Sequence, residues 1–284
     1  MISWPPPGTR VTVRYRRPAG SIPPLTDAVG HLLDIEPRVR VRTKSGAVVQ
    51  FAPADVVAVR ALSGAPVRTS QIRAVEHAAA LAWPGVEQQW LDGWLLRAGY
   101  GVTLSANSAV PLDLSANAAA IPAIVDWYTR RDLTPRLAVP DRLLKLPGAG
   151  ERSHAVLVRD VCTAQTDSSI QLSADPDDAW LQRYPHEIVT AIVDGELVFG
   201  RHGEQRARAA VTDAPDGTRW VGLSALQPGG RALGEALLSW GAACGATRAY
   251  VRVRDNDDVS AGVAQSLGFA LHHRARYFAL VSST

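Results

Sequence analysis

The chain has 284 residues, 46% of them apolar and 20% charged, proportions that suit a folded globular protein and exclude a disordered one. Its apolar runs are cut by Asp, Arg or Pro well short of the roughly 18 residues that a membrane-spanning helix needs, and Met1 to Arg10 has no signal-peptide core. Two cysteines, Cys162 and Cys244, cannot build a disulfide framework, and neither stands at metal-ligand spacing from a Cys or His. A reduced, cytoplasmic protein without a metal is expected.

Charge is unevenly placed. Residues 1–68 hold ten basic and four acidic side chains, whereas the rest is mildly acidic, within a formal total of +3. That split predicts a basic module, residues 1–66, ahead of a larger one, residues 67–284. Within the first, Val11 and Val13 alternate with Arg10, Thr12 and Arg14, and Val39 and Val41 with Arg38, Arg40 and Arg42, the period of two that marks half-buried strands. Lys44-Ser45-Gly46 reads as a hairpin turn before Ala47 to Phe51, Val56 to Val59 adds a strand, and Leu62-Ser63-Gly64-Ala65-Pro66 is linker chemistry. Short strands without a helical period predict a small SH3-like β barrel. Its arginine-rich face suits either nucleic-acid phosphates or plain solvation.

The second module alternates helical and strand signals. Ser70 caps a predicted helix from Gln71 to Ala82, ended by Trp83-Pro84-Gly85. Gln89 to Arg97 and Val102 to Val110 read as paired strands around Gly99-Tyr100-Gly101, and Ala118 to Arg131 as an amphipathic helix. Ala155 to Val161, Ile188 to Val193 and Leu197 to Arg201 read as strands, with Asp194-Gly195 as the hairpin turn between the last two. No internal repeat is visible. The final third runs in the order strand (Arg219 to Leu226), glycine-rich loop (Gln227 to Gly234), helix, strand (Ala249 to Val253), short helix, strand, with Gly268 at a left-handed helix end. A glycine-rich loop that opens a helix either cradles a diphosphate on main-chain amides, with Arg231 as a charged donor, or simply allows close packing.

Among other candidate groups, Glu187, Asp194 and Glu204 flank the predicted hairpin as a possible base or as solvated turn residues, and His272-His273 places one ring inward and one outward on the last strand.

Gly229 to Gly234, the Ala249–Val253 strand, the Asn256 turn and Ser266-Leu267-Gly268-Phe269 resemble the acyl-CoA-binding half of the GNAT superfamily of N-acetyltransferases. Trp94-Leu95-Leu96-Arg97, Gly101, Thr103, Ser105-Ala106-Asn107-Ser108 and Pro111 are similar to the front half of an actinobacterial subgroup. There an SH3-like (Tudor-like) domain precedes the GNAT domain, and some members are described as histone-like-protein acetyltransferases. The resemblance implies an α/β (α+β) fold with a splayed mixed central sheet and acetyl-CoA held in the splay as cosubstrate. It assigns main-chain groups of Ser224, Ala225 and Leu226 to the pantetheine and thioester, Gly230, Arg231, Ala232, Leu233 and Gly234 to the diphosphate, and Asn256 to the pantetheine arm. The implied acceptor is an amine, a protein lysine among the candidates, and the implied alternative is a degenerate acyl-CoA-binding regulator. Departures are plain in the residues. Ala264 stands where the family has a tyrosine acid, with Ser260, Ser266 and Tyr277 as possible substitutes. Asp257 competes with Asn256 for the asparagine's place, and Ser105 replaces a frequent Arg. No catalytic residue, metal or oligomeric state is assigned.

Overall fold

Alternating Val and Arg side chains give the N-terminal segment one greasy and one charged face, and the apolar face folds inward. In the computed structural model, which describes residues 4–43, 45–62, 67–148 and 150–280, the chain divides into units Met1–Val67 and Arg68–Thr284. The first unit is one antiparallel sheet of β1 (Arg10–Arg16), β2 (Leu25–Asp34), β3 (Val39–Thr43), β4 (Val48–Phe51) and β5 (Val56–Ala61), in the order β4-β3-β2-β1-β5. Val11, Val13, Leu32, Val39 and Val41 are wholly buried in it. The sheet curls until Tyr15 of β1 stacks on Phe51 of β4 with ring centroids 3.9 Å apart. No ladder joins β4 to β5 among the described residues, so the expected barrel is seen as a curled sheet. Of the linker expected at Leu62 to Pro66, residues 63–66 lie outside the described residues, as does the turn residue Lys44.

The second unit begins with α1 (Thr69–Ala82), β6 (Glu87–Leu91), β7 (Trp94–Ala98), β8 (Val110–Pro111), α2 (Ile121–Thr129), β9 (Arg136–Pro140) and β10 (Arg152–Asp160). It continues through β11 (Gln171–Ser173), α3 (Asp178–Leu181), α4 (His186–Val189), β12 (Glu196–His202), β13 (Gln205–Asp213), β14 (Arg219–Ser224), α5 (Arg231–Ala243), β15 (Arg248–Arg254), α6 (Asp258–Ser266) and β16 (Ala270–Ala279). Eight strands form a mixed sheet, β11-β12-β13-β14-β15-β10-β16-β9, and β6, β7 and β8 a smaller one.

This order contains a duplication that the residues do not advertise. Three antiparallel strands, a helix, and a strand parallel to the third occur as β6-β7-β8-α2-β9, with a parallel bridge Ala109↔Leu137, and again as β12-β13-β14-α5-β15. Each copy gives its last strand to the other: β10 pairs with β15, β16 with β9, and the two exchanged strands pair with each other. α5 and α6 cover one face, packing on Val221, Leu223, Ala249 and Val251, while Ala74, Val75, Ala78 and Ala79 of α1 cover Trp220 and Tyr250 on the other.

Two strand expectations are corrected. The first hairpin turns at Asp92-Gly93 (φ 44° and 83°), so Gln89 to Arg97 is two strands, and most of Val102 to Val110 is loop. Ile188 to Val193 is not a strand. Asp194-Gly195 leads into β12, whose hairpin with β13 turns near Gly203, and Gly195 is required because a Cβ there would lie 2.1 Å from the Val211 carbonyl oxygen of β13.

Under the sheet lies a buried polar cluster. Glu76 of α1 pairs with Arg252 at 2.5 Å and with His273 Nε2 at 3.0 Å, and His273 Nδ1 meets His272 Nδ1 at 2.8 Å. Burial opposes the Glu76 charge, but Arg252 and the His273 hydrogen bond outweigh it and hold the carboxyl well below its ordinary range. His154 is buried beside Tyr277 with both ring nitrogens unpartnered, and burial together with Arg252 lowers its pKa to about 4. The unfolded His154 titrates near 6.5, so the unfolded chain binds its proton first on acidification, and stability drains between about pH 6.5 and 4. At about 1.4 kcal/mol per unit, that is a loss of up to about 3 kcal/mol. His154→Phe should raise the urea midpoint at pH 5 and flatten its pH dependence, and parallel pH slopes in the two proteins would contradict the assignment. Gly222→Ala would set a Cβ 2.2 Å from the Tyr250 hydroxyl. It should cost about 1–3 kcal/mol in urea unfolding, and a neutral result would show that the ring is free to move.

Candidate functional site

Strands β14 and β15 run parallel only from Trp220↔Arg248 to Leu223↔Val251. Ser224 still pairs with Arg208 of β13, but Ala225 turns into the left-handed region at φ 62°, a conformation that costs a non-glycine residue about 1 kcal/mol or more. Beyond it the two strands part. The opening holds a cavity of about 460 Å³ toward α6 and the loop that precedes α5, and another of about 290 Å³ toward α1. Both are lined by Tyr184, Leu223, Ala225, Arg252 and Arg254, so they meet at the parting of the strands.

The loop after β14 forms one end. Gly230 N–H donates to the Gln227 carbonyl at 3.0 Å, and the loop is tied to the β12–β13 hairpin by Gln205 Nε2 donating to the Pro228 carbonyl at 2.7 Å. Arg206 N–H donates to Gln227 Oε1 at 3.3 Å. The helix starts at Arg231, and among the described residues the amides of Arg231, Ala232 and Leu233 have no main-chain acceptor. Three free amides at a thirteen-residue helix N-terminus concentrate positive potential there. Arg231 is exposed beside them and makes no ion pair among the described residues.

The expected site residues divide. Ala225 and Leu226 line the larger cavity, and Ser224 lines the smaller one while accepting a hydrogen bond from Trp83 Nε1 at 3.0 Å. Gly230, Arg231, Ala232 and Leu233 make the helix entrance. Gly234 is buried, and a Cβ there would lie 2.7 Å from Leu267, so its evident task is the packing of α5 on α6. Asn256 occupies a left-handed turn (φ 68°) and lines only the adjoining groove beyond Arg254, whereas Asp257 lines both that groove and the larger cavity and caps α6 through the Ser260 amide and hydroxyl. Of the substitutes for the missing tyrosine, Ser260 borders the cavity, Ser266 donates to the Val263 carbonyl, and Tyr277 is buried in another cluster with Leu95 and Val110. Ala264 is fully buried. Glu187, Asp194 and Glu204 line neither of these two cavities. Among the described residues no three His, Cys, Asp or Glu side chains gather to hold a metal.

Sequence reading missed the wall on the α1 side. Trp83, at the end of α1, bonds Ser224 and lies under Tyr184, with ring centroids 6.1 Å apart. Arg208 is wholly buried, stacks on Trp83 at 4.1 Å, and donates to the carbonyls of Ala82, Val189 and Ala191. Arg97 is also buried and donates to the Ser108 carbonyl and hydroxyl and to the Trp83 carbonyl. Burial lowers Arg97 to about 10 and Arg208 to about 9, which leaves both charged at neutral pH. Burial also pushes Tyr250, which crosses β14 over Gly222, up to about 12, so its phenol keeps its proton. The Gly99–Ser108 loop is locked by Asn107, whose side chain accepts from the Gly99 and Gly101 amides and donates to the Gly99 and Thr103 carbonyls. Thr103 and Ser105 of that loop reach the smaller cavity. The signal for this wall was the spacing of Arg97, Asn107 and Ser108, but only the fold shows that they brace a loop.

Residues 69–278 match a family model described as probable histone acetyltransferase Rv0428c C-terminal, and residues 5–60 match one described as the Rv0428c N-terminal Sm-like domain. The N-terminal unit is therefore named Sm-like there, in place of the SH3- or Tudor-like label expected from its strands. A Mycobacterium tuberculosis protein named probable histone acetyltransferase Rv0428c is 62% identical over 98% of this chain and 96% of its own length. Among solved structures, a GCN5-related N-acetyltransferase from Kribbella flavida is 15% identical with a TM-score of 0.49, covering 75% of this chain and 95% of that one. A GCN5-related N-acetyltransferase from Sphaerobacter thermophilus is 10% identical with a TM-score of 0.38, covering 75% and 93%. By the two family models and the near full-length relative, the chain belongs to the Rv0428c family of probable histone acetyltransferases.

Proposed function

We propose that the second unit is an acetyl-CoA-dependent N-acetyltransferase of GNAT type that transfers the acetyl group directly to an amine. The observation that carries this reading is the parting of β14 from β15 at Ala225, with cavities on both sides of the sheet and, at the rim of one, the Gln227-Pro228 loop that leads into the free amides of α5. Arg231 and the amides of Arg231 to Leu233 suit a diphosphate, and the main-chain groups of Ala225 and Leu226, past the end of the β14–β15 ladder, suit a pantetheine arm and a developing oxyanion. Asp257 takes the place expected for Asn256 at the cavity wall. Tyr184 lines both cavities, with no hydrogen bond to its hydroxyl among the described residues, and is the phenol best placed to protonate a departing thiolate in place of the family tyrosine. The relative's name points to a histone as acceptor. In the first unit, Arg10, His31 and Arg42 stand side by side across three strands without an ion pair among the described residues, a row suited to nucleic acid or another polyanion.

A second reading rests on the buried Ala264: a body that binds acyl-CoA without turning it over. Calorimetry with acetyl-CoA followed by CoA release with amines separates the two. Saturable binding with release supports the transferase, binding alone supports the sensor, and no binding removes both. Arg231→Ala should weaken acetyl-CoA binding about 3- to 30-fold, the range for losing one charge-assisted contact, and unchanged affinity would take Arg231 out of the site. Tyr184→Phe should lower kcat about 10- to 100-fold with little change in acetyl-CoA affinity, as loss of a general acid does, and an unaltered kcat would leave protonation to water.

A further inference from the structure

The smaller cavity is the side from which an acceptor would approach, and its charge is unusual for an enzyme acting on lysine. Arg252 and Arg254 line it, and no carboxylate does. Behind its Trp83 wall lie the guanidinium groups of Arg97 and Arg208, 1% and 0% exposed, hydrogen-bonded to carbonyls and a hydroxyl but to no acid. The one buried carboxylate nearby, Glu76, is already shared between Arg252 and His273. Nε of Arg252 and one terminal nitrogen of Arg208 have no partner. Fixed cations in a site partly shielded from water set a positive potential that draws anions and repels ammonium groups.

We propose that the acceptor is a small amine carrying its own anionic group, a carboxylate or phosphate held by Arg252 and Arg254, rather than the side chain of a basic protein. This deepens the acetyltransferase reading and rests on it for the chemistry, while the anion site itself does not. The same cations disfavour the ammonium form, so the acceptor nitrogen gives its extra proton to water without a carboxylate base. The neutral amine then attacks the thioester carbonyl carbon. A C–N bond forms, the C–S bond breaks with its electron pair on sulfur, and the remaining displaced proton ends on the thiolate, giving an amide and the free thiol. Thr103, Ser105 and the Tyr250 phenol are neutral hydrogen-bonding partners for the rest of such a molecule.

Two measurements on the full chain test this. N-acetyl amino acids and their methyl esters, which differ only in the anionic group, are titrated calorimetrically without acetyl-CoA. The acids should bind at least tenfold more tightly, with the preference reduced about tenfold in Arg254→Ala and by raised salt. CoA release is then followed with free amino acids, aminoalkyl phosphates, amino acid methyl esters and a lysine-rich peptide. The anionic amines should exceed the esters and the peptide at least tenfold in kcat/KM. Equal binding of acid and ester, a discrimination untouched in Arg254→Ala, or turnover of the peptide above the anionic amines overturns the proposal. Preferential binding of the acids without any CoA release upholds the anion site and counts against the acetyltransferase reading.

Discussion

A short parallel ladder and its abrupt end govern the functional half of this molecule. Four residue pairs join β14 to β15, and at Ala225 the backbone takes a left-handed turn that no further ladder can follow. The elements around it keep the gap open. β13 holds β14 through Ser224, Trp83 bonds the Ser224 hydroxyl, Tyr250 fills the space above Gly222, and Gln205 and Arg206 hold the loop that leads into α5. The strain at Ala225 persists because so many neighbours fix it, which is the usual circumstance of strained backbone at a working site.

The duplicated topology explains why one such opening suffices. In the first copy the corresponding parting of β8 and β9 is filled: Val110, Leu112, Ala138 and Tyr277 pack there with Leu95 and Ala80. In the second copy the same place is lined by Arg252, Arg254, Ala225 and Tyr184 and is hollow. Exchange of the last strands places β10 and β16 between β15 of the second copy and β9 of the first in one sheet, so the filled half buttresses the open one. In the wall of the open half, Arg97 and the locked loop carrying Thr103 and Ser105 come from the first copy, and Trp83 from the end of α1. Neither half makes the site alone.

Legibility in the sequence followed the range of the interactions. The Val-Arg alternation of β1 and β3, the Gly268 helix end and the strand-loop-helix order of the final third depend on neighbours a few residues apart, and all are present. Three Asp-Gly pairs carry the same local signal, and Asp92-Gly93 and Asp216-Gly217 make hairpin turns whereas Asp194-Gly195 does not. Asp194-Gly195 is needed where β12 passes close to the Val211 carbonyl, a contact that no local pattern announces. The duplication was invisible because it is a repetition of topology, with β8 two residues long and β14 six. Asn256 and Asp257 differ by one position, and only the left-handed turn at Asn256 decides which of them faces the cavity. Arg97 and Arg208 read as ordinary strand cations, since nothing near them in sequence shows that both end beneath one tryptophan.

The central claim is that the free amides at the start of α5 receive the phosphates of an acyl carrier. Hydrogen exchange of the full chain with and without acetyl-CoA tests it at the atoms concerned. The account predicts selective slowing at Arg231, Ala232 and Leu233 and in the Ala225–Gln227 segment, with little change at Ala118 to Ala120, where the first copy enters its own helix. Unaltered exchange at those three amides under saturating acetyl-CoA, or protection confined to the first copy, would contradict it.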